Sequence, residues 1–435
     1  MTQPSPTPAG LSTRRLRQAA AYAGIATLAA GSALIVAGAQ RDPHTLVPAA
    51  DLRYPGWLHG PLAGFHIQLG TTGLAWLLVA MCAGYVVVLA TADAIRVRVA
   101  VGAIVGLHAL FMLAPPLLSS DVFGYVDLAR LGALHDINPF SPSSTRVPAD
   151  DVHLYRRWGT DLPSPYGPVF VLLGYLLVPL GVAGALWAFK VLVAVASLAV
   201  VWLVWRCAAA LGRDPLRATL FVGLNPVLLL FAVGGAHNDF FALVAVMGAV
   251  YLLVANRERL SGAALVAAAA VKIPLGLPFL FALARPRADR RGLIGGAAAA
   301  LVAVVAVSLA AFGSEIGGFL SAVRQQQHDV AIYSVPNQVG ELLGLGGITG
   351  GIRVAGAALL IATAAHALRR TWRGGDWVAA AGWATFALLV TSAWLLPWYV
   401  TWLLPLAAIA GDRRLRVAAL ALSAYLVATR LAIWT

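Results

Sequence analysis

Short polar groupings interrupt an otherwise apolar chain, and several carry residue types that do chemistry. In Ser119-Ser120-Asp121-Val122-Phe123-Gly124-Tyr125 a carboxylate follows directly on an apolar run. At the mouth of a helix, beside a substrate held at a membrane interface, Asp121 could act as a general base. An ordinary N-cap for a helix over about 122–134 explains the same residue without chemistry, and the two roles are compatible. Gly234-Gly235-Ala236-His237-Asn238-Asp239 is a tight polar turn between two apolar runs. It packs donors and acceptors together with almost no linker, although Asp239 could simply cap the next helix. One His and one Asp are too few ligands for a metal site.

Lys272 is one of only two lysines. A cation inside an apolar hairpin costs roughly 2.5–3.5 kcal/mol, so something anionic should meet it. A lipid phosphate fits, as does an acid of the chain itself, or the side chain could snorkel. Lys190 lies near the end of its apolar run and reads as snorkelling. The segment 313–350 carries Arg324 and Gln338, fork and amide donors suited to phosphate and sugar hydroxyls, yet it could equally be a solvated connector. Trp398 and Tyr399, with Trp394 and Trp402, read as an interfacial aromatic belt or as a platform for a sugar ring. Arg430, near the end of the last apolar run, could clamp a phosphate.

The elements that must hold these residues follow from composition. Of 435 residues 60% are apolar and 11% charged, where a soluble domain carries about a quarter charged; the mean hydropathy is +0.81. An aqueous globular enzyme, a disordered chain, a coiled coil and collagen are all excluded. Apolar runs near 20 residues recur from end to end, each long enough to cross a hydrocarbon core of roughly 30 Å as a helix, and barrel strands would alternate instead. The net charge of +13 does not mark a nucleic-acid partner, because Arg gathers at the ends of apolar runs, as the positive-inside rule expects. Cys82 and Cys207 offer neither a disulfide framework nor a CxxC metal site.

The chain therefore reads as an all-α polytopic membrane protein. Residues 1–13 form a disordered cytoplasmic tail and 14–435 a single transmembrane domain. Spans fall near 19–39, 70–92, 98–118, 185–206, 216–234, 239–256, 292–312, 351–369, 376–395, 398–410 and 415–434. Two segments are decided by charge. Residues 168–184 lie along or dip into the outer interface, since a crossing there would turn the later Arg clusters outward. Residues 260–284 form a hairpin of two short helices broken at Pro274. The result is about 13 spans with the amino terminus cytoplasmic, a first large outer loop at 119–184 and a second at 313–350. No matched pair of broken helices, the mark of an inverted-repeat transporter, is expected.

Taken in order, Ser120-Asp121-Val122-Phe123-Gly124-Tyr125, Asn138-Pro139-Phe140, Ser164-Pro165-Tyr166-Gly167-Pro168, Asn225-Pro226 running into Gly235-Ala236-His237-Asn238-Asp239, Lys272-Ile273-Pro274 and Pro397-Trp398-Tyr399 resemble a known set. The chain is similar to the GT-C class of integral-membrane glycosyltransferases, and within it to the MptB-like, polyprenol-phosphomannose-dependent α-1,6-mannosyltransferases that build cell-envelope lipoglycan. The resemblance implies a GT-C-type fold with outer-face juxtamembrane helices, one of them starting at Tyr166 to Pro168. It makes Asp121 the catalytic carboxylate and places Lys272 near the donor phosphate, to which Arg324 and Arg430, read from residue type, would add further cations. Tyr125, Tyr166, His237, Asn238, Asp239, Gln338, Trp398 and Tyr399 would bind substrate.

The expected reaction is inverting transfer of mannose from polyprenyl-phosphate-mannose to a glycolipid or mannan acceptor on the outer face of the plasma membrane. It calls for no cofactor and no metal, and for membrane lipids but no nucleic acid as partners. The rival readings are the same fold with another lipid-linked sugar, and a membrane transporter or lipid flippase.

Overall fold

The structure is a computed structural model that describes residues 8–40, 46–47, 55–65, 67–141, 150–155 and 163–431; among them every regular element is a helix or helical turn. In chain order the helices are α1 (Pro8–Ala39), α2 (Thr71–Ala90), α3 (Val97–Met112), α4 (Asp121–His135), α5 (Pro168–Tyr175), α6 (Gly181–Ala210), α7 (Pro215–Gly223), α8 (Asp239–Val254) and α9 (Glu258–Val271). They continue as α10 (Pro278–Ala284), α11 (Arg290–Phe312), α12 (Gly317–Gln326), α13 (Val335–Leu342), α14 (Gly350–Trp372), α15 (Trp377–Thr391), α16 (Leu404–Ile409) and α17 (Arg413–Ala428).

Five stretches, Arg14–Ala39, Thr71–Ala90, Val178–Ala210, Arg290–Gln326 and Gly350–Trp372, are long and apolar enough to cross a membrane. Shorter apolar helices accompany them at Val97–Met112, Asp239–Val254, Ile273–Ala284, Trp377–Thr391 and Pro397–Ile409. Large apolar side chains such as Trp76, Val302, Val354 and Ile361 point outward. Water does not reward such a surface and lipid does, so the fold is that of a polytopic membrane protein. α1 begins at Pro8, inside the stretch expected to be tail; proline is tolerated in a first helical turn. Residues 1–7 lie outside the described residues.

One end of the bundle is built on helix caps. Asp214, Asp289, Asp376 and Asp412 each precede a helix and accept a backbone N–H in its first turn, for α7, α11, α15 and α17 respectively. Each such cap is worth about 1 kcal/mol. Arg213, Arg217, Arg290, Arg413, Arg414 and Arg416 sit among these starts.

Residues 168–184, ambiguous in the sequence, divide. α5 is eight residues long, about 12 Å, too short to cross. A turn over Val178–Leu180 then leads into the 30-residue α6, and Gly181 takes φ +71° at the join. Gly167 N-caps α5 and lies so close to the end of α9 that a β-carbon there would run into the Ala270 carbonyl. This contact ties the 164–168 segment to the 260–284 hairpin. The hairpin itself bends at Lys272 and a short turn over Ile273–Gly276, where Pro274 cannot continue an α-helix.

Two crossings are interrupted, contrary to the expectation of unbroken spans. The run 215–234 consists of α7, a break at Asn225-Pro226 and a wide turn over Leu228–Gly234; the Asn225 side chain accepts Val227 N–H at 3.0 Å. The run 397–409 is a tight turn over Pro397–Trp402 followed by α16. The two runs pack side by side, the first buried from Ala218 onward and the second throughout. Irregular backbone is tolerated at membrane depth only where protein covers it, and neighbouring helices cover both.

Candidate functional site

Asp121 opens α4 without capping it. Ser120 holds the cap position with no side-chain bond, the Asp121 N–H donates to Ser119 Oγ at 3.1 Å, and no helix N–H reaches the Asp121 carboxylate. The cap reading of Asp121 therefore gives way, and its carboxylate is free to face the 234–239 turn. In that turn Ala236 takes φ +58°, a left-handed conformation costly for any residue but glycine. Gly235 is packed so tightly that a β-carbon would meet the Phe231 carbonyl and the His237 ring. Lys190, expected to snorkel, is instead wholly buried and donates to the Gly234 carbonyl at 3.0 Å. It stands in the first third of α6 and pins the turn through that bond.

Asp239 likewise starts α8 without capping it, Asn238 being the cap residue. Asp239 Oδ1 takes Lys272 Nζ at 2.7 Å and Trp402 Nε1–H at 2.5 Å. The cation expected to need an anionic partner thus finds one within the chain. The ammonium also lies over two aromatic faces, 4.7 Å from the Tyr399 centroid and 5.2 Å from that of Trp402. His237 stacks on Trp398 with ring centroids 3.6 Å apart and planes 17° from parallel. Its Nδ1 stands 3.2 Å from Asp121 Oδ2, an ion-pair separation short of hydrogen-bond geometry.

The floor of the site is aromatic. Tyr125 Oη accepts the Asn238 N–H at 3.3 Å, and its ring meets those of Tyr166 and Phe170 edge-on at 4.9 and 4.8 Å. Several buried polar atoms here have no partner: His237 Nε2, both amide atoms of Asn238 and Asp239 Oδ2. Buried polar groups are normally satisfied. Hydrogen-bonding capacity left over at one spot, under a ring of aromatics, suits a polyhydroxylated ligand.

The two carboxylates differ in access. The Asp121 side chain is 19% exposed and that of Asp239 is sealed at 0%. Burial pushes the Asp121 carboxyl up, but His237, Lys272 and the Ser119 hydroxyl outweigh it and hold the group below the ordinary carboxylate range. Burial first, and then the Asp121 charge, raise the Tyr125 and Tyr166 phenols well above theirs. Asp121 is thus an ionised, partly exposed carboxylate with neutral phenols near it. Among the described residues no three His, Cys, Asp or Glu side chains gather as a metal site would need.

The structure brings Asp121, Tyr125, Tyr166, His237, Asn238, Asp239, Lys272, Trp398 and Tyr399 together from five separate segments. Three other candidates stand apart. Arg324 lies exposed on α12. Gln338 donates to the Ile332 carbonyl at 2.9 Å and, beside Asn337, braces its own loop. Arg430 lines a separate cavity of about 270 Å³ with Trp394 and Pro397, its guanidinium 6.0 Å from the Tyr333 ring. Sequence reasoning missed Trp402 as a donor to Asp239 and Lys190 as the anchor of the turn. Neither left a signal in local spacing beyond the rarity of lysine in the chain.

Comparisons with known proteins show the family of the chain. The family model described as "Alpha-(1->6)-mannopyranosyltransferase, N-terminal domain" matches residues 19–285, and "MptB C-terminal domain" matches 330–431. The chain is 28% identical over 345 residues to alpha-(1->6)-mannopyranosyltransferase B of Corynebacterium glutamicum, covering 68% of this chain and 56% of that protein. It is 30% identical over 343 residues to alpha-(1->6)-mannopyranosyltransferase A of Mycobacterium tuberculosis, covering 71% of this chain and 65% of that one. The chain thus spans less than two thirds of the length of either relative. No solved structure matches.

Proposed function

The chain belongs to the alpha-(1->6)-mannopyranosyltransferase family, and on that premise we propose that it is a membrane mannosyltransferase of GT-C type. It transfers mannose from polyprenyl-phosphate-mannose to a glycolipid or polysaccharide acceptor on the outer face of the plasma membrane. The observation that carries the reading is the partly exposed, ionised Asp121 carboxylate facing the buried His237–Asn238–Asp239 turn, 3.2 Å from His237 Nδ1.

In this mechanism the acceptor hydroxyl attacks the anomeric carbon of the donor as the bond from that carbon to the phosphate oxygen breaks. The acceptor proton passes to Asp121, polyprenyl phosphate leaves with the bonding pair, and configuration inverts. Asp239 is a poor candidate for this role, being sealed and already shared by Lys272 and Trp402. Lys272 keeps an aromatic cage and partial exposure, from which it can lend positive charge to the departing phosphate. His237, held flat on Trp398, and the buried Asn238 back the site from behind Asp121. Arg430, in its own nearby cavity, is a second cation for the donor side.

The arrangement of charge supports the orientation. The site sits at one end of the bundle, and the arginine-rich helix starts at the other read as cytoplasmic under the positive-inside rule. With the hairpin kept whole, about 13 crossings then place the amino terminus inside. The test is transfer by the purified protein from radiolabelled polyprenyl-phosphomannose to a short mannoside. Asp121→Asn should retain fold and donor binding and lose about 10²- to 10⁴-fold in rate. Transfer within a few-fold of wild type would remove Asp121 from the reaction.

A further inference from the structure

Far from the transfer site, at the arginine-rich end, a cavity of about 420 Å³ opens between the start of α7, the end of α2 and the start of α17. Arg213, Arg217, Arg413 and Arg416 line it, with Asp214 the one acid among the lining residues. The acids nearby are already committed. Asp214 accepts the Arg217 N–H at 3.1 Å, and Asp412 accepts two N–H groups of α17 and the Trp383 indole at 2.8 Å. Asp376 caps α15, accepts the Gly411 N–H at 2.8 Å and stands 3.6 Å from Arg213.

The guanidiniums outnumber the acids here. Among the described residues Arg217 and Arg413 have no ion pair, and Arg416 donates to the Ala410 carbonyl at 2.9 Å. Arg213, Arg217 and Arg413 reach solvent, and with the half-buried Arg416 they converge, from separate segments, on one concavity. Its remaining wall is apolar, with Phe221, Leu420 and the outward-facing Val417. A cationic rim over a greasy wall open to the bilayer matches an amphiphile with an anionic head.

We propose that this cavity binds the phosphate headgroup of an anionic phospholipid, with an acyl chain lying along Phe221, Val417 and Leu420. Basic pockets between transmembrane helices recognise acidic headgroups through this chemistry, and the guanidinium fork suits phosphate better than an ammonium does. The site lies at the opposite end of the bundle from Asp121, so it is independent of which sugar is transferred.

The experiment uses the full chain purified in a neutral detergent. Native mass spectrometry and thermal unfolding follow titration with phosphatidylglycerol, with phosphatidylcholine of the same acyl chains, and with inorganic phosphate. Phosphatidylglycerol should bind saturably and raise the unfolding temperature, phosphatidylcholine should do neither, and inorganic phosphate should bind at least about tenfold more weakly for want of the chain contact. Arg217→Gln with Arg413→Gln should weaken phosphatidylglycerol binding about tenfold or more, and the corresponding Lys pair should keep most of it. Equal binding of the two lipids, or undiminished binding by the Gln pair, overturns the proposal. Equal affinity for inorganic phosphate overturns the lipid assignment. The contrast between the two lipids on the unmodified protein decides the matter even if the Gln pair fails to fold.

Discussion

Lys272→Met isolates a charge that the fold cannot easily leave alone. Asp239 is fully buried; its Oδ2 has no partner and its Oδ1 depends on Lys272 Nζ at 2.7 Å and Trp402 Nε1–H at 2.5 Å. Removing one member of a buried pair costs roughly 3–5 kcal/mol, because the other charge stays behind without water. The Lys272 side chain is 18% exposed, so solvent can enter from its side, and the surviving indole bond offsets part of the loss. Both push the cost toward the lower figure, about 3 kcal/mol. Asp239→Asn should cost less, about 1–2 kcal/mol, since the freed ammonium can turn to water and keeps its aromatic cage. The double variant should be more stable than Lys272→Met alone by about 1 kcal/mol or more, because no charge is then stranded. Unfolding of the four proteins in one detergent, read by tryptophan fluorescence against denaturant, measures the cycle. Wild-type stability in Lys272→Met, or strict additivity in the double variant, would refute the pairing argument and leave Lys272 as a free phosphate ligand.

Three further outcomes follow from the same geometry. Asp121 is held below the ordinary carboxylate value of 3.8 and must be ionised to act. Activity due to it is therefore complete above its folded pKa and lost as pH falls through it, so kcat/KM should show no carboxylate limb down to about pH 5; in Lys272→Met that limb should move upward. Lys190→Met removes the only side-chain donor to the Gly234 carbonyl among the described residues and should lower kcat by about tenfold or more with the protein still folded; unchanged kinetics would leave Lys190 a packing residue. Single cysteines replacing exposed Leu342 and exposed Asp289 should react with an impermeant maleimide from opposite sides of the membrane, and labelling from one side would defeat the proposed topology.

The candidate site was legible where local chemistry is costly in an apolar chain. Asp121, Asp239 and Lys272 each announce themselves because an ionisable group at a span end needs a reason to be there. What sequence does not carry is how such groups pair. Both acids read equally well as caps, and only the placement of Ser120 and Asn238 one residue earlier frees them. The same acids-before-helices pattern is a true cap at Asp214, Asp289, Asp376 and Asp412, where the side chain does turn back onto its helix. Arg324, Gln338 and Arg430 were chosen by residue type, and their positions depend on how the 313–350 segment folds over the bundle, which no local spacing fixes. The interrupted runs at 215–234 and 397–409 look continuous in hydropathy because both halves are apolar; the breaks come from Pro226, Pro397 and Pro405 and survive because neighbours bury them.

The assembly of the site from distant segments also sets an order of events during synthesis. Trp402 reaches back 163 residues to Asp239, and Asn225 meets Ser423 across 198. The 234–239 turn and the hairpin carrying Lys272 must therefore enter the membrane before the segment that completes their surroundings has been translated. In that interval Asp239 and Lys272 can neutralise one another, being only 33 residues apart, whereas His237 has no Trp398 to lie against. The ion pair thus serves the nascent chain before it serves the finished protein: it allows two charged helix ends to wait in lipid until the tryptophan-bearing turn arrives to close over them.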